Sequence, residues 1–416
     1  MGETTGLQRA QELDAQDPLA RFVPRFERAE GVVAYFDGNS LGRPVAGAAA
    51  EMERFVREEW GTRLIRSWDE GWMRWPEEVG DLVGSAALGA EPGQTVVADS
   101  TTVLLYKVLR ALVDHQLALD PGRRELVLDT DNFPTDRYVA EGVAAERDLT
   151  LRWIDVDPAA GVTPEQVAEV VGQRTGVVLL SHVAYRSGFV ADTSPITEVV
   201  HDAGALVLWD TCHSAGSVPV RADEWGWDAA VGCDYKYLNG GPGAPAHAYL
   251  ARRHHDLPTL RQPVQGWMGR RDPFRMEQGY QPAAGIRSLV SGTPPIVGMV
   301  PVRLGAQMLA EAGIEEVRRK SLLLTDLAWS IVESWPAELG VVVASPRAHE
   351  RRGGHLTLRH PAFEDVCPRL WERGVIPDFR SPDGLRLGLS PLSTSFVEVW
   401  RGLEAVREEL ERSQPA

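Results

Sequence analysis

A chain of 416 residues is long enough for two or three domains, and its 44% hydrophobic and 25% charged content is that of a globular protein, not a disordered one. Its 43 basic and 59 acidic residues leave a net charge of −16, which excludes the broad basic face that general nucleic-acid binding requires. Three cysteines, Cys212, Cys233 and Cys367, lack CxxC spacing; they exclude a disulfide framework and a structural zinc site and fit a reducing, cytoplasmic compartment.

In chain order, the opening MGETTGLQRAQELDAQDPLARF lacks the apolar stretch of a secretory signal. MGETTG fits a myristoylation pattern only loosely and is discounted. No apolar run reaches the roughly 18 residues of a membrane span. Residues 1–54 are expected to pack beside a small C-terminal domain. Ser100-Thr101-Thr102 stand before VLLYKVLRALVDH, a predicted helix. Hydroxyls and backbone N–H groups at a helix N-terminus form a natural anion site, although Ser and Thr are also ordinary helix caps.

ELVLDTDNFPT (125–135) predicts a strand running into a loop. Phe133 in that loop can stack on a ring or anchor the loop. Asp136 can cap the next helix or hydrogen-bond a cofactor. TGVVLLSHV (175–183) predicts another strand, with Ser181 and His182 at its end, and SPITEVVHDAG (194–204) a helix closed by glycine. ALVLWDTCHSAG (205–216) predicts a strand ended by Asp210. Strands separated by helices imply a parallel sheet with right-handed crossovers, whose ligand groups lie just past the strand ends.

The segment WDTCHSAGSVPVRADEWGWDAAVGCDYKYLNGGPGAP (209–245) holds the most chemistry. Asp210 is a carboxylate at the end of a buried strand, costly there unless paired. Lys236 lies between apolar VGC and a glycine-rich turn, where desolvation lowers an amine's pKa and makes it nucleophilic. This combination suits pyridoxal phosphate (PLP): the lysine bonds the cofactor and the acid keeps the pyridine nitrogen protonated. A buried Asp–Lys ion pair beside a glycine loop is the simpler reading of these two residues alone, and His213 can equally be a core histidine. Beyond them, helices are predicted near 294–315 and 315–335. The short strands LGVVVAS, GGHLTLRH and GLRLGLS follow, with one helix at 365–373. This change of rhythm predicts a smaller α+β domain from about residue 300. The ERSQPA tail is expected to fray.

YFDGNSLGRP (35–44), LIRSWDEG (64–71), VVADSTTVLLYKVL (96–109), DNFPTDRY (131–138), SHVAYRSGFVAD (181–192), DTCHSAGSVPV (210–220), GCDYKYLNGGPGAP (232–245), SGTPP (291–295) and LRLGLSPL (385–392) together resemble kynureninase over about residues 30–400. The resemblance implies an α/β protein of PLP fold type I, aspartate-aminotransferase-like. A large domain (55–300) would carry a mainly parallel seven-stranded sheet, and a small α+β domain (301–416) would follow. It implies a homodimer with shared active sites. The reaction would be hydrolytic Cβ–Cγ cleavage of L-kynurenine, or a substituted kynurenine, to an anthranilate and L-alanine.

By position, the resemblance makes Lys236 the Schiff-base lysine and proton shuttle. Asp210 would be the partner of the pyridine nitrogen, with His213 in support. Thr101, Thr102 and Tyr235 would hold the phosphate together with Thr293 of the partner subunit. Phe133 would stack on the ring. Asp136, Ser181 and Trp267 of the partner subunit would complete the cofactor shell. Tyr235 would also serve as an acid toward the β-carbon. Arg386 would clamp the substrate α-carboxylate, a task suited to a planar guanidinium; the apolar LRLG setting argues against a surface strand arginine. Four positions depart from the family pattern and are expected on the substrate side: Leu104 and Ala184 where asparagine is usual, Arg270 where histidine is usual, and Ser393 where tyrosine is usual. These departures leave room for a related PLP enzyme of natural-product biosynthesis, a C–S lyase or decarboxylating deaminase acting on an S-conjugated cysteine. A catalytically silent scaffold is a third reading, opposed by the presence of Lys236, Asp210 and Arg386.

Overall fold

The computed structural model describes residues 3–413. In chain order its first strands are β1 (Ala34–Tyr35), β2 (Thr95–Ala98), β3 (Glu125–Asp129), β4 (Thr150–Ile154), β5 (Thr175–Ser181), β6 (Leu206–Asp210), β7 (Ala229–Cys233) and β8 (Ala246–Leu250). Five follow: β9 (Val342–Val343), β10 (His355–Arg359), β11 (Val375–Ile376), β12 (Asp378–Arg380) and β13 (Gly384–Gly388).

Seven strands form one sheet in the order β2-β8-β7-β6-β5-β3-β4. Neighbours from β7 to β4 are parallel, and β8 runs antiparallel to both β2 and β7. Crossover helices such as Thr101–Leu119, Pro134–Arg147 and Thr193–Asp202 cover both faces. That is why β6 and β7 are buried at every residue instead of at alternate ones. The two-residue period still sorts the side chains. Leu126 and Leu128 enter the apolar layer with Leu104, Leu105 and Val108, whereas Val127 enters the opposite layer with Ile196, Val200 and Trp209.

The second apolar core gathers Leu324, Leu356, Leu358, Leu385, Leu387 and Val399 around a four-stranded antiparallel sheet, β12-β13-β10-β9. Helices Ile314–Glu333, Phe363–Glu372 and Phe396–Ser413 complete it. The change of core falls inside Ile314–Glu333 and not at residue 300, because Met299, Val300, Val302 and Ala306 of the preceding helix, Ile296–Ala312, belong to the large core. The N-terminal segment serves both units. Phe22, Phe26 and Val45 enter the large core, while Ala34 and Phe36 enter the small one, where β1 pairs in parallel with β11. Residues 411–413 of the tail are helical; 414–416, like Met1 and Gly2 of the MGETTG pattern, lie outside the described residues. No described helix is long and apolar enough to cross a membrane.

Candidate active site

The carboxyl ends of β6 and β7 bring the two central residues together. Asp210 closes β6 and pairs in register with Val231 of β7. Lys236 follows just past the end of β7 and is 7% exposed. Its Nζ lies 3.2 Å from His213 Nε2 and 5.9 Å from the ring centroids of both Phe133 and Tyr235. Burial, then the Lys236 and Arg386 cations, hold His213 well below the usual histidine range, so its imidazole is neutral and can hydrogen-bond the amine.

Local sequence fixes this meeting. The Ser214 and Ala215 N–H groups donate to the Thr211 carbonyl, and the Ser217 hydroxyl donates to the His213 carbonyl at 2.8 Å. These bonds curl the chain after β6 so that His213 faces Lys236. Gly216 sits at φ +86°, and a Cβ there would come 3.1 Å from Tyr237 Cβ. A fully buried chain of hydrogen bonds ties the strand ends together: Asp234 Oδ1 to His247 Nδ1 at 2.6 Å, and His247 Nε2 to Thr211 Oγ1 at 2.9 Å. The N-terminal loop clamps the lysine segment from above. The Gly42 N–H donates to the Tyr235 carbonyl at 2.8 Å, and a Cβ on Gly42 would lie 2.2 Å from the Lys236 carbonyl oxygen.

The Asp210 carboxylate accepts from the Cys212 N–H at 2.6 Å through Oδ1. Asp136, in the first turn of Pro134–Arg147, makes no capping bond; it points inward, and its Oδ2 is buried without a partner. Burial, followed by the facing Asp210 carboxylate, holds Asp136 well above the ordinary carboxylate range. Phe133 precedes that helix and meets the Tyr185 ring edge-on at 5.4 Å. The Ser181 hydroxyl donates to Asn132 Oδ1 at 3.0 Å.

The helix predicted after Ser100 is Thr101–Leu119. Ser100 is extended and makes no side-chain cap bond, so the first-turn N–H groups and the Thr101 and Thr102 hydroxyls are available to an anion. The residues therefore fit PLP: an anion cradle, an aromatic face, a carboxylate for the ring nitrogen, and a lysine. Burial pushes the Tyr235 hydroxyl up, which keeps it a proton donor. Trp267, 40% exposed and edge-on to Phe274, and Thr293 are surface residues of this chain.

Arg386 of β13 is 1% exposed. Nη1 donates to the Tyr185 carbonyl at 2.9 Å, and Nη2 to Ser40 Oγ at 2.8 Å and Asp378 Oδ2 at 2.6 Å. Nε is buried with no partner. Both units thus hold the guanidinium rigidly through three of its five N–H donors and leave Nε, a buried donor atom, without a partner.

The four departures from the family pattern do not cluster. Leu104 is fully buried in an apolar layer, so it packs the core; this corrects the substrate-side expectation at that position. Ala184 lines a cavity of about 20 Å³ with Asn132, Ser181 and Tyr185. Arg270 is held by its own loop, donating to the Asp272 carbonyl at 2.6 Å and pairing with Glu277 at 3.4 Å. Ser393 is buried and its Oγ has no partner.

Sequence reasoning missed Ser40, Asn132, Tyr185, His355 and Asp378. Ser40 and Tyr185 lie inside the quoted DGNSLG and SHVAYR segments, but their tasks depend on contacts 346 and 201 residues away.

A model of the kynureninase C-terminal domain matches residues 317–406. The kynureninase of Pseudomonas fluorescens is 43% identical over 404 residues, covering 96% of this chain and 94% of that protein. Among solved structures, the cysteine desulfurase of Escherichia coli superposes with a TM-score of 0.78 at 18% identity, covering 95% of this chain and 98% of that one. A C-DES mutant with glycine covalently linked to its PLP cofactor gives a TM-score of 0.77 at 18% identity, covering 91% of this chain and 95% of that one. The structural likenesses show the shared fold, and the full-length sequence identity settles the rest: the chain belongs to the kynureninase family of PLP enzymes.

Proposed function

We propose that this protein hydrolyses the Cβ–Cγ bond of L-kynurenine, or of a ring-substituted kynurenine, to an anthranilate and L-alanine, as a homodimer in the cytoplasm. The observation that carries the reading is the buried cluster of Lys236, His213 and Asp210 facing a rigid Arg386 whose Nε is free. Within the family, that arrangement serves an α-amino acid. When bound, PLP supplies an electron sink for carbanionic charge.

The chain's own residues do the rest. Lys236 would bond the cofactor, and its Nζ would hold and move protons during turnover. Asp210 would pair with the pyridine nitrogen and keep it protonated. Asp136, held well above the ordinary carboxylate range beside it, would limit the negative charge there. Phe133 would cover one ring face. Thr101, Thr102 and the helix N-terminus would hold the phosphate together with Tyr235. The Tyr235 hydroxyl, pushed up by burial, would donate toward the β-carbon, and Arg386 would bind the α-carboxylate. The exposed positions of Trp267 and Thr293 support their use in the site of the partner subunit, and the exposed Trp60, Leu64 and Ile65 supply apolar surface for the dimer.

Borohydride reduction of the purified enzyme, followed by peptide mass analysis, tests the cofactor assignment. The expected product is one cofactor fixed on the Lys236 peptide and absent from Lys236→Ala. Labelling of another lysine would overturn it.

A further inference from the structure

His355 opens β10 and stands opposite Gly388 of β13; two residues on, Thr357 stands opposite Arg386. Strand alternation puts His355, Thr357 and Arg386 on one face of the small sheet. That face is turned to the large unit, since the Thr357 hydroxyl donates to the Arg186 carbonyl and Arg386 donates to the Tyr185 carbonyl. His355 is fully buried, with its ring centroid 5.6 Å from that of His213. Neither of its ring nitrogens has a hydrogen-bond partner; the Tyr185 and Arg186 carbonyls are near without meeting hydrogen-bond geometry. The backbone opposite comes close: a Cβ on Gly188, at φ +73°, would lie 2.8 Å from the His355 carbonyl oxygen and 3.4 Å from Nε2.

An unpaired polar group in such a place is costly, and an apolar ring of the same size would avoid that cost. Burial, then the Arg386 and Lys236 cations, push the imidazole down to about 3. It is therefore neutral, with one nitrogen able to donate and the other to accept. Two unpartnered donors thus share one buried sheet face on neighbouring strands: this imidazole and Arg386 Nε.

We infer that His355 is a specificity-determining residue that completes the α-carboxylate site: its N–H donates to the carboxylate that Arg386 Nε engages. The inference rests on Arg386 being the carboxylate clamp. It extends that clamp to a second strand, and it makes recognition of the carboxylate depend on the small domain at two points. An amino acid lacking a free carboxylate would leave both donors unpaired, which is how a site rejects an analogue without the matching group.

The test uses PLP-loaded enzyme with L-alanine as a non-cleaved probe, its Kd read from the change in the cofactor's visible band. Kinetics with L-kynurenine and its carboxamide follow. H355F keeps the ring and removes both nitrogens, and H355Q keeps a donor. We expect H355F to bind L-alanine about tenfold more weakly and to raise KM for L-kynurenine by a similar factor, the scale of one hydrogen bond to a charged group. H355Q should recover most of the loss, and the carboxamide should respond little to either change. H355L carries the same comparison if H355F does not retain cofactor. Unchanged L-alanine affinity in H355F or H355L, or an equal loss for the carboxamide, would overturn the inference. The L-alanine readout stands apart from the reaction: failure of the native enzyme to cleave kynurenine would sink the proposed function and leave the His355 result intact.

Discussion

Replacing Arg386 with lysine keeps the positive charge and most of the length but removes the fork. In the structure three donations fix the guanidinium, to the Tyr185 carbonyl, Ser40 Oγ and Asp378 Oδ2, while Nε is left free. A lysine ammonium can satisfy some of these acceptors or reach toward a substrate carboxylate. It cannot do both in the planar geometry, because its donors radiate from one atom. The Asp378 carboxylate at 2.6 Å competes most strongly for it. The expected loss is one charge-assisted hydrogen bond to the substrate, about 1.5–3 kcal/mol, or roughly 10- to 150-fold in kcat/KM. If the interaction is made equally in the ground and transition states, the loss appears in KM; kcat falls as well to the extent that the α-carbon is misplaced. The assay is steady-state anthranilate formation from L-kynurenine, with the visible cofactor band and Tm as controls for folding and loading. An Arg386→Lys enzyme that holds its cofactor and keeps KM within about twofold of the native value would refute the reasoning.

Burial, reinforced by the Asp131 carboxylate, pushes Asp129 up to about 7 from an ordinary 3.8. The native state therefore keeps this proton to higher pH than the unfolded chain does. The resulting destabilisation is absent below pH 3.8, grows up to about pH 7 and is constant above it. Asp129→Asn should raise the Tm of the cofactor-free protein at pH 8 and leave it unchanged below pH 3.8; a Tm difference independent of pH would contradict the assignment. His247→Leu would strand the buried Asp234 carboxylate. It should cost about 3–5 kcal/mol in urea unfolding, and a loss below about 1 kcal/mol would show that the Asp234–His247–Thr211 chain does not hold the strand ends.

Legibility in the sequence followed the range of the interactions. β3, β5 and β6 and the helix Thr193–Asp202 are local patterns, apolar runs and glycine stops, and stood where those patterns put them. β8 was harder: AHAYL resembles its neighbours, and its reversed direction comes from the short glycine turn after Lys236, not from its own residues. The two-residue strands β1 and β11 pair at a separation of hundreds of residues and carry no pattern of their own. In the site, Asp210 and Lys236 were legible because an acid and an amine beside buried strands are costly and call for a reason. Asp136 was legible as a residue but not as a contact, since its encounter with Asp210 depends on sheet order. His355 left no signal at all. A histidine in GGHLTLRH looks like any strand residue until β13 places it beside Arg386 and the curl after β6 places it against His213.

The most direct measurement is the incubation of the PLP-loaded enzyme with L-kynurenine and with 3-hydroxy-L-kynurenine, following anthranilate fluorescence and L-alanine release together. The account predicts stoichiometric release of both products from at least one substrate, abolished in Lys236→Ala. A fully loaded enzyme that forms no anthranilate from either substrate, or that instead releases pyruvate and thiol from a cysteine S-conjugate, would contradict it.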